Sequence, residues 1–140
     1  MTGPFDMCKT SLSRAGILSG VEDSLSRLQT DYIDLYLSHI DDENTPLERT
    51  LSAYDELIKA GKVPYIRASN ITKDRLEEAL QITTHNNLPA YATLQPHYNL
   101  YHREDYEGEL QDFCVAHEIG VFTYFPWRNS RKLWHVPKWC

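Results

Sequence analysis

Four apolar, strand-like runs in this chain each end in polar residues. The runs close at His39, at Ser69 and Asn70, at Gln95 and at Tyr124. These positions lie roughly 25 to 31 residues apart, which is about the size of one βαβ unit. Polar side chains at the C-terminal ends of consecutive parallel strands are where α/β proteins build their active sites. The spacing therefore predicts one site assembled from four strand ends.

Between the strand-like runs, apolar residues recur at the three- and four-residue steps of a helix. Ser11 or Ser13 is predicted to cap the first helix, because both are good N-cap residues. We expect the buried stripe of this helix to consist of Ile17, Val21, Leu25 and Leu28.

The next two helices carry clear start and stop signals. Thr45 is predicted to cap the second helix, with Pro46 at its first position and Glu48 completing a capping box. Gly61 is predicted to end that helix in the left-handed conformation. Thr72 is the expected cap of the third helix.

The predicted order is helix and strand in strict alternation, with strands over 32–37, 65–68, 92–94 and 121–124. This alternation indicates an α/β protein with a parallel sheet and right-handed crossovers. Composition and periodicity leave two architectures open, a doubly wound sheet and an arc of a barrel.

Charge and cysteine content narrow the function classes. The net charge of −6 disfavours nucleic acid and anionic membrane surfaces as partners, because both are bound through basic patches. No apolar run approaches the roughly 20 residues of a membrane span. The three widely separated cysteines are expected to be free thiols in a reducing compartment. We therefore predict a cytoplasmic protein.

Several ordered motifs resemble the aldo-keto reductase family. They are DYIDLYLSH at 31–39, GKVPYIRASN at 61–70 and LQPHYNL at 94–100, preceded by VEDSLSRLQT at 21–30. The resemblance runs from about Leu12 to Pro126. It implies a partial (β/α)8 TIM barrel of about four parallel strands, and it favours the barrel over the doubly wound sheet.

The resemblance also implies a chemistry. In this family NADPH transfers a hydride to the carbonyl carbon of an aldehyde or ketone. By motif, His39 matches the histidine that orients the carbonyl, and Ser69, Asn70 and Gln95 match the residues that hold the nicotinamide carboxamide. Tyr124 matches the aromatic ring that stacks on the nicotinamide. Each residue also has a structural alternative: backbone satisfaction for His39, capping and turn formation for Ser69, Asn70 and Gln95, and core packing for Tyr124.

Length sets a limit on this expectation. A complete barrel takes about 250 residues, whereas this chain has 140. The family's proton-donating tyrosine, its aspartate and its lysine are expected upstream of the first helix, and its phosphate-binding segments after Pro126. Independent catalysis is therefore not expected. We divide the chain into a partial barrel over 1–127 and an irregular basic and aromatic tail over 128–140. Arg67 also departs from the family, which usually has glycine there.

Two alternatives to a reductase remain open. The chain could be a catalytically inactive binding or regulatory module on the same fold. Its open sheet edges could pair in a homo-oligomer or dock on a full-length relative. A metal-dependent hydrolase would use His39, Asp41 and Asp42 as ligands, although no second strand offers a partner. If the chain is an enzyme, its substrate is predicted to be a small carbonyl compound.

Overall fold

The computed structural model describes residues 12–124, in which four helices alternate with four strands. The helices are α1 (Arg14–Leu28), α2 (Leu47–Lys59), α3 (Lys73–Asn86) and α4 (Glu109–Ala116). The strands are β1 (Leu35–Ser38), β2 (Tyr65–Ser69), β3 (Tyr91–Gln95) and β4 (Gly120–Val121). The predicted alternation is confirmed over this range.

All four strands are parallel, and their order in the sheet is β1-β2-β3-β4. Each helix packs on the next one, α1 on α2, α2 on α3 and α3 on α4. Right-handed crossovers between successive neighbours place all the helices on one side of a sheet. A doubly wound sheet would instead reverse its strand order at a switch point and carry helices on both faces. The arrangement is therefore an α/β arc of the kind found in a (β/α)8 barrel.

The core lies between the helices and one face of the sheet, which we call the helix-covered face. From the sheet, Ile66 is 1% exposed, Ala68 2% and Leu94 1%. From the helices, Val21 and Leu51 are fully buried. Side chains alternate between the two sides of a strand, so the neighbours of these residues point the other way, toward a second face that no described helix covers. We call it the open face.

The helix caps agree with the sequence at three positions. The hydroxyl of Ser13 accepts a hydrogen bond from the backbone N–H of Gly16, and that of Thr72 accepts one from Arg75. Gly61 has φ of +71°, which an L side chain rarely adopts. The alternative cap at Ser11 lies outside the described residues.

The prediction of a capping box at the start of the second helix is wrong. Pro46 is the N-cap residue of α2, and no side chain caps the helix. The hydroxyl of Thr45 instead donates to Asp42 Oδ2 at 2.7 Å. The preceding loop therefore uses the threonine for its own turn, leaving Pro46, whose missing N–H costs nothing at a helix start, as the boundary.

Three boundaries also differ from prediction. Leu28 is 64% exposed and ends α1 outside the buried stripe, because Gln29 turns the chain into the left-handed region at φ of 54°. The first strand begins only at Leu35. The fourth strand has two residues, and Tyr124 meets the sheet through an isolated bridge to His97.

Two other features bear on the predictions. Cys114 is a free, buried thiol, and no helix among residues 12–124 is long and apolar enough to span a membrane. The boundary at 127 and the tail over 128–140 lie outside the described residues and remain predictions.

Candidate functional site

The strand ends converge because the strands are parallel and nearly in register. Ser38 of β1 pairs with Ala68 of β2, and Ser69 of β2 pairs with Gln95 of β3. The C-terminal ends of parallel strands meet at one edge of the sheet, which is where α/β proteins bind ligands.

Hydrogen bonds join all the predicted site residues into one network. Asn70 Nδ2 donates to the backbone oxygen of His39 at 2.8 Å and to Ser69 Oγ at 3.2 Å. Ser69 Oγ donates to the backbone oxygen of Gln95 at 2.7 Å. The Tyr124 hydroxyl donates to Asn70 Oδ1 at 3.0 Å. Asn70 is therefore the centre of the network and links three strand ends.

The backbone conformation of Asn70 makes this position possible. Its φ is +50°, in the left-handed region that asparagine tolerates better than most other side chains. The residue lies between Ser69, which ends β2, and the loop that leads into α3. The left-handed turn directs its amide toward His39, which follows β1, and Tyr124, which lies beyond β4.

His39 joins the network through its backbone rather than its ring. Its carbonyl oxygen accepts from Asn70, while the residue as a whole is exposed. The ring therefore lies where a ligand could meet it. The predicted role in orienting a carbonyl stays a prediction.

The amide groups of the site are polarised by their partners. Both N–H bonds of the Asn70 amide are used, and its oxygen accepts only from Tyr124 among residues 12–124. Arg67 Nη1 donates to Gln95 Oε1 at 2.9 Å. Arginine has no acceptor atom, so the Gln95 oxygen must face Arg67 and its NH2 group must face away. The site thus presents an acceptor at Asn70 and a donor at Gln95.

Tyr124 lies on an aromatic platform that includes His97. The two rings are stacked with centroids 5.0 Å apart, and the ring of His102 lies 4.6 Å from that of His97. Burial and the charge of Asp105 raise the pKa of the Tyr124 hydroxyl above its usual value. Tyr124 therefore remains a hydrogen-bond donor near neutral pH.

His97 is a site neighbour that the sequence alone did not identify as one. Its position in the chain, just after β3, was the available signal, because a residue beyond a strand end lies at the same edge as the site. Only the bridge between His97 and Tyr124 shows that the loop folds back onto the end of the sheet. A nicotinamide ring stacked on Tyr124 would have to use the face opposite His97 or displace it.

A cleft of about 620 Å³ opens beside Asn70 and Tyr124. It lies between the start of α3 and the loop that joins β3 to α4. Its charged lining residues are Lys73, Glu104, Asp105, Glu107 and Glu109. Lys73 forms an ion pair with Glu77 at 2.5 Å, so the excess negative charge makes this cleft unfavourable for phosphate groups.

The carboxylates of the metal hypothesis have protein partners. Arg75 donates to both oxygens of Asp41, at 2.8 and 3.2 Å. Thr45 donates to Asp42 and lowers the pKa of that carboxyl. No group of three or more His, Cys, Asp or Glu side chains within the described part of the chain could hold a metal ion. The hypothesis of a metal site at His39, Asp41 and Asp42 finds no support.

The sequence profile described as the aldo/keto reductase family matches residues 5–131. The chain belongs to this family. It is 38% identical over 86% of its length to the aldo-keto reductase dtxS3 of Metarhizium robertsii, of which the match covers 32%. It is 42% identical over 80% of its length to the aldo-keto reductase YhdN of Bacillus subtilis, again covering 32% of that protein.

A third relative has a different kind of name. A Schizosaccharomyces pombe protein, provisionally named as a voltage-gated potassium channel subunit beta, is 32% identical over 86% of this chain and is covered over 35% of its length. The chain therefore spans about a third of the length of the curated relatives it matches. The four parallel strands alternating with helices are consistent with part of the (β/α)8 barrel of this family.

Proposed function

We propose that this chain binds the nicotinamide end of NADPH and serves in the reduction of small aldehydes and ketones. The observation that carries this proposal is the donor and acceptor pair at the strand ends. A carboxamide has one oxygen that accepts and one NH2 group that donates. The Gln95 NH2 group would donate to the carboxamide oxygen, and Asn70 Oδ1 would accept from the carboxamide nitrogen.

The residues around this pair fit the same ligand. Ser69 is 2% exposed and donates to the Gln95 backbone, so its part is to hold two strand ends together. Tyr124 is held by its hydrogen bond to Asn70, which fixes one end of a ring on which a nicotinamide would stack. Preformed hydrogen-bond partners cost a ligand less ordering than mobile ones do.

His39 is proposed to orient the substrate. NADPH supplies the hydride when it is bound, and the protein supplies position and electrostatics. A neutral imidazole N–H at the end of β1 could donate to a carbonyl oxygen and stabilise the negative charge that develops there. The exposure of His39 leaves its ring accessible for this contact.

A direct test is a titration of the 140-residue chain with NADPH, followed by the fluorescence of the dihydronicotinamide. We expect saturable binding in the micromolar range. The control ligand is the 2′-phosphorylated ADP-ribose that remains when the nicotinamide is removed, followed by its displacement of NADPH. It should bind at least about tenfold more weakly, a difference near 1.4 kcal/mol. Equal binding of both ligands, or none at millimolar concentration, would contradict the proposal.

The second candidate is a binding or regulatory module without catalysis. Two observations favour it: the open face exposes Tyr65 and Phe122, at 61% and 53%, and one relative carries the name of a channel subunit. Exposed aromatic residues of this kind mark interfaces. Such a module would pair through its sheet edges with a second copy or with a full-length relative.

His39→Ala separates the two candidates. For a reductase, the variant should lose carbonyl reduction when it is assayed together with its partner, a second copy or a full-length relative. For a regulatory module, association measured by light scattering and by partner binding should be unchanged and no reduction should be present in the wild type.

We propose the cytoplasm as the compartment, which the free thiol of Cys114 supports.

A further inference from the structure

Arg67 lies on the open face of the sheet, beside the nicotinamide-end residues. It pairs in register with Thr93 of β3, and Gln95 lies two residues further along the same strand. Side chains two apart on a strand share a face, and a long side chain can reach the diagonal neighbour on the next strand. Arg67 therefore reaches Gln95 without leaving its own strand position.

Two contacts hold the guanidinium group in place. Arg67 Nη1 donates to Gln95 Oε1 at 2.9 Å, and the guanidinium carbon lies 4.9 Å from the centre of the Phe122 ring. A cation over an aromatic ring is attracted to it. The charge therefore has contacts on β3 and on Phe122, the residue that follows β4.

The usual partners of a half-buried arginine are missing here. No carboxylate among residues 12–124 forms a salt bridge with Arg67. Its Nε is buried and has no hydrogen-bond partner within the same range. The contact with Gln95 is therefore the one hydrogen bond that the described residues give this side chain. A buried donor without a partner costs stability, which offsets part of what the contacts with Gln95 and Phe122 contribute.

The contact has a chemical consequence for Gln95. A glutamine amide can be turned by half a rotation, exchanging its oxygen and its NH2 group at little cost when nothing selects one state. A donor-only group on one side removes this freedom. As long as Arg67 is present, the group that faces the site is a donor.

We propose that Arg67 is a positioning residue that holds the Gln95 amide with its NH2 group toward the ligand, so that Gln95 donates a hydrogen bond to the carbonyl oxygen of the ligand's carboxamide. This inference rests on the proposed nicotinamide site. It assigns to Arg67 the selection of ligand polarity at the strand ends, through Gln95 and without contact with the ligand.

The test compares Arg67→Met with Arg67→Lys in the 140-residue chain. Methionine keeps an unbranched apolar side chain and removes the donors, whereas lysine keeps a charged donor that can still bind Gln95 Oε1. The ligands are NADPH and its 3-acetylpyridine analogue, which has the carbonyl oxygen but no NH2 group. With Gln95 locked, the analogue keeps its contact with Gln95 in the wild type.

In Arg67→Met, Gln95 can turn and offer its oxygen. NADPH can adapt by turning its own carboxamide, but the acetyl group has no donor to offer. With the Gln95 amide divided about equally between its two orientations, only about half of the sites offer the analogue a donor, so its affinity should fall up to about twofold more than that of NADPH. Arg67→Lys should keep the wild-type ratio. An unchanged ratio in Arg67→Met would overturn the proposal, since a purely structural role would weaken both ligands equally.

A second readout needs no ligand. The side-chain NH2 signals of Gln95, assigned by their loss in Gln95→Met, are expected at the same position in the wild type and in Arg67→Lys, and displaced in Arg67→Met. If the wild type binds no NADPH, the proposed function fails. The NH2 signals of Gln95 still test whether Arg67 fixes the orientation of its amide. Displacement in Arg67→Met alone supports the lock on Gln95, whereas identical signals in all three proteins refute it.

Discussion

The two faces of the sheet are built from the same strands but differ in what holds them. On the helix-covered face, Ile66, Ala68 and Leu94 are at most 2% exposed. On the open face, Tyr65 is 61% exposed and Phe122 53%, and polar contacts such as that between Arg67 and Gln95 replace packing. The comparison separates the packed core from the polar contacts that belong to the proposed site, one on each side of the strands.

The largest effect should come from the helix-covered face. Leu51→Ala removes a side chain with no exposed surface and leaves a cavity, so we expect a loss of about 2 to 5 kcal/mol in the free energy of unfolding. Urea denaturation of the chain measures it. The matched change on the open face is Tyr65→Thr, which keeps strand propensity and should cost less than about 1 kcal/mol.

The result for Tyr65→Thr also sharpens the comparison. If the open face is covered by a second copy in solution, the cost of Tyr65→Thr should rise toward that of Leu51→Ala and should depend on protein concentration. A small, concentration-independent cost would show that the face is exposed to solvent.

The next largest effect is a dependence on alkaline pH. Burial raises the pKa of Tyr54 to about 12, whereas an unfolded tyrosine titrates near 10. Above pH 10 the unfolded state loses this proton first, so stability is full below pH 10 and falls as pH rises toward 12. The loss should reach up to about 2.7 kcal/mol for two pH units.

Tyr54→Phe is the control for this dependence. The variant should flatten the decline between pH 10 and 12, because phenylalanine has no proton to lose. Burial also raises the pKa of Tyr91, so part of the slope should remain. Identical slopes for the variant and the wild type in pH-dependent urea denaturation would rule out the assignment to Tyr54.

The ion pair between Asp41 and Arg75 should have an intermediate effect. The side chains are 11% and 21% exposed, and the arginine binds both carboxylate oxygens. Arg75→Met should cost about 1 to 3 kcal/mol, because it leaves a poorly hydrated carboxylate without its partner. The double variant with Asp41→Asn should recover part of this loss in the same denaturation experiment. No recovery would mean that Arg75 acts through its packing or its ion pair with Glu78 rather than through Asp41.

A small effect on stability and the clearest effect on binding should come from Asn70→Ala. The variant removes the centre of the strand-end network and should weaken NADPH binding about tenfold, near 1.4 kcal/mol. Alanine is also strained at φ of +50°, at a cost of about 1 kcal/mol in stability. Asn70→Gly relieves that strain without restoring the amide, so its NADPH affinity should stay low. Restored affinity in Asn70→Gly would contradict a direct role for the amide.

Much of the fold could be predicted from the sequence because its signals are local. Ser13, Thr72 and Gly61 act within one helical turn, and their roles were read correctly. The Thr45 cap failed because Asp42 competes for the same hydroxyl, a contact that depends on how the loop closes. The position of Leu28 failed for a similar reason, since periodicity does not show where a helix ends.

The candidate site also has features that the sequence predicted and one that only the structure revealed. The spacing of the strand ends and the family motifs selected His39, Ser69, Asn70, Gln95 and Tyr124, and the structure joins them by hydrogen bonds. The stacking of His97 on Tyr124 was not foreseen, because it depends on the path of the loop after β3. The roles of the five predicted site residues in binding and catalysis remain predictions.

By itself, the sequence determined the alternation of helices and strands, the family, and which residues stand at the strand ends. These follow from periodicity and motif order, which are properties of neighbouring residues. Only the tertiary structure decided that the His39 backbone rather than its ring binds Asn70 and that Arg67 donates to the side chain of Gln95. Both contacts join residues about 28 to 31 positions apart, and such contacts exist only once parallel strands bring distant residues into register.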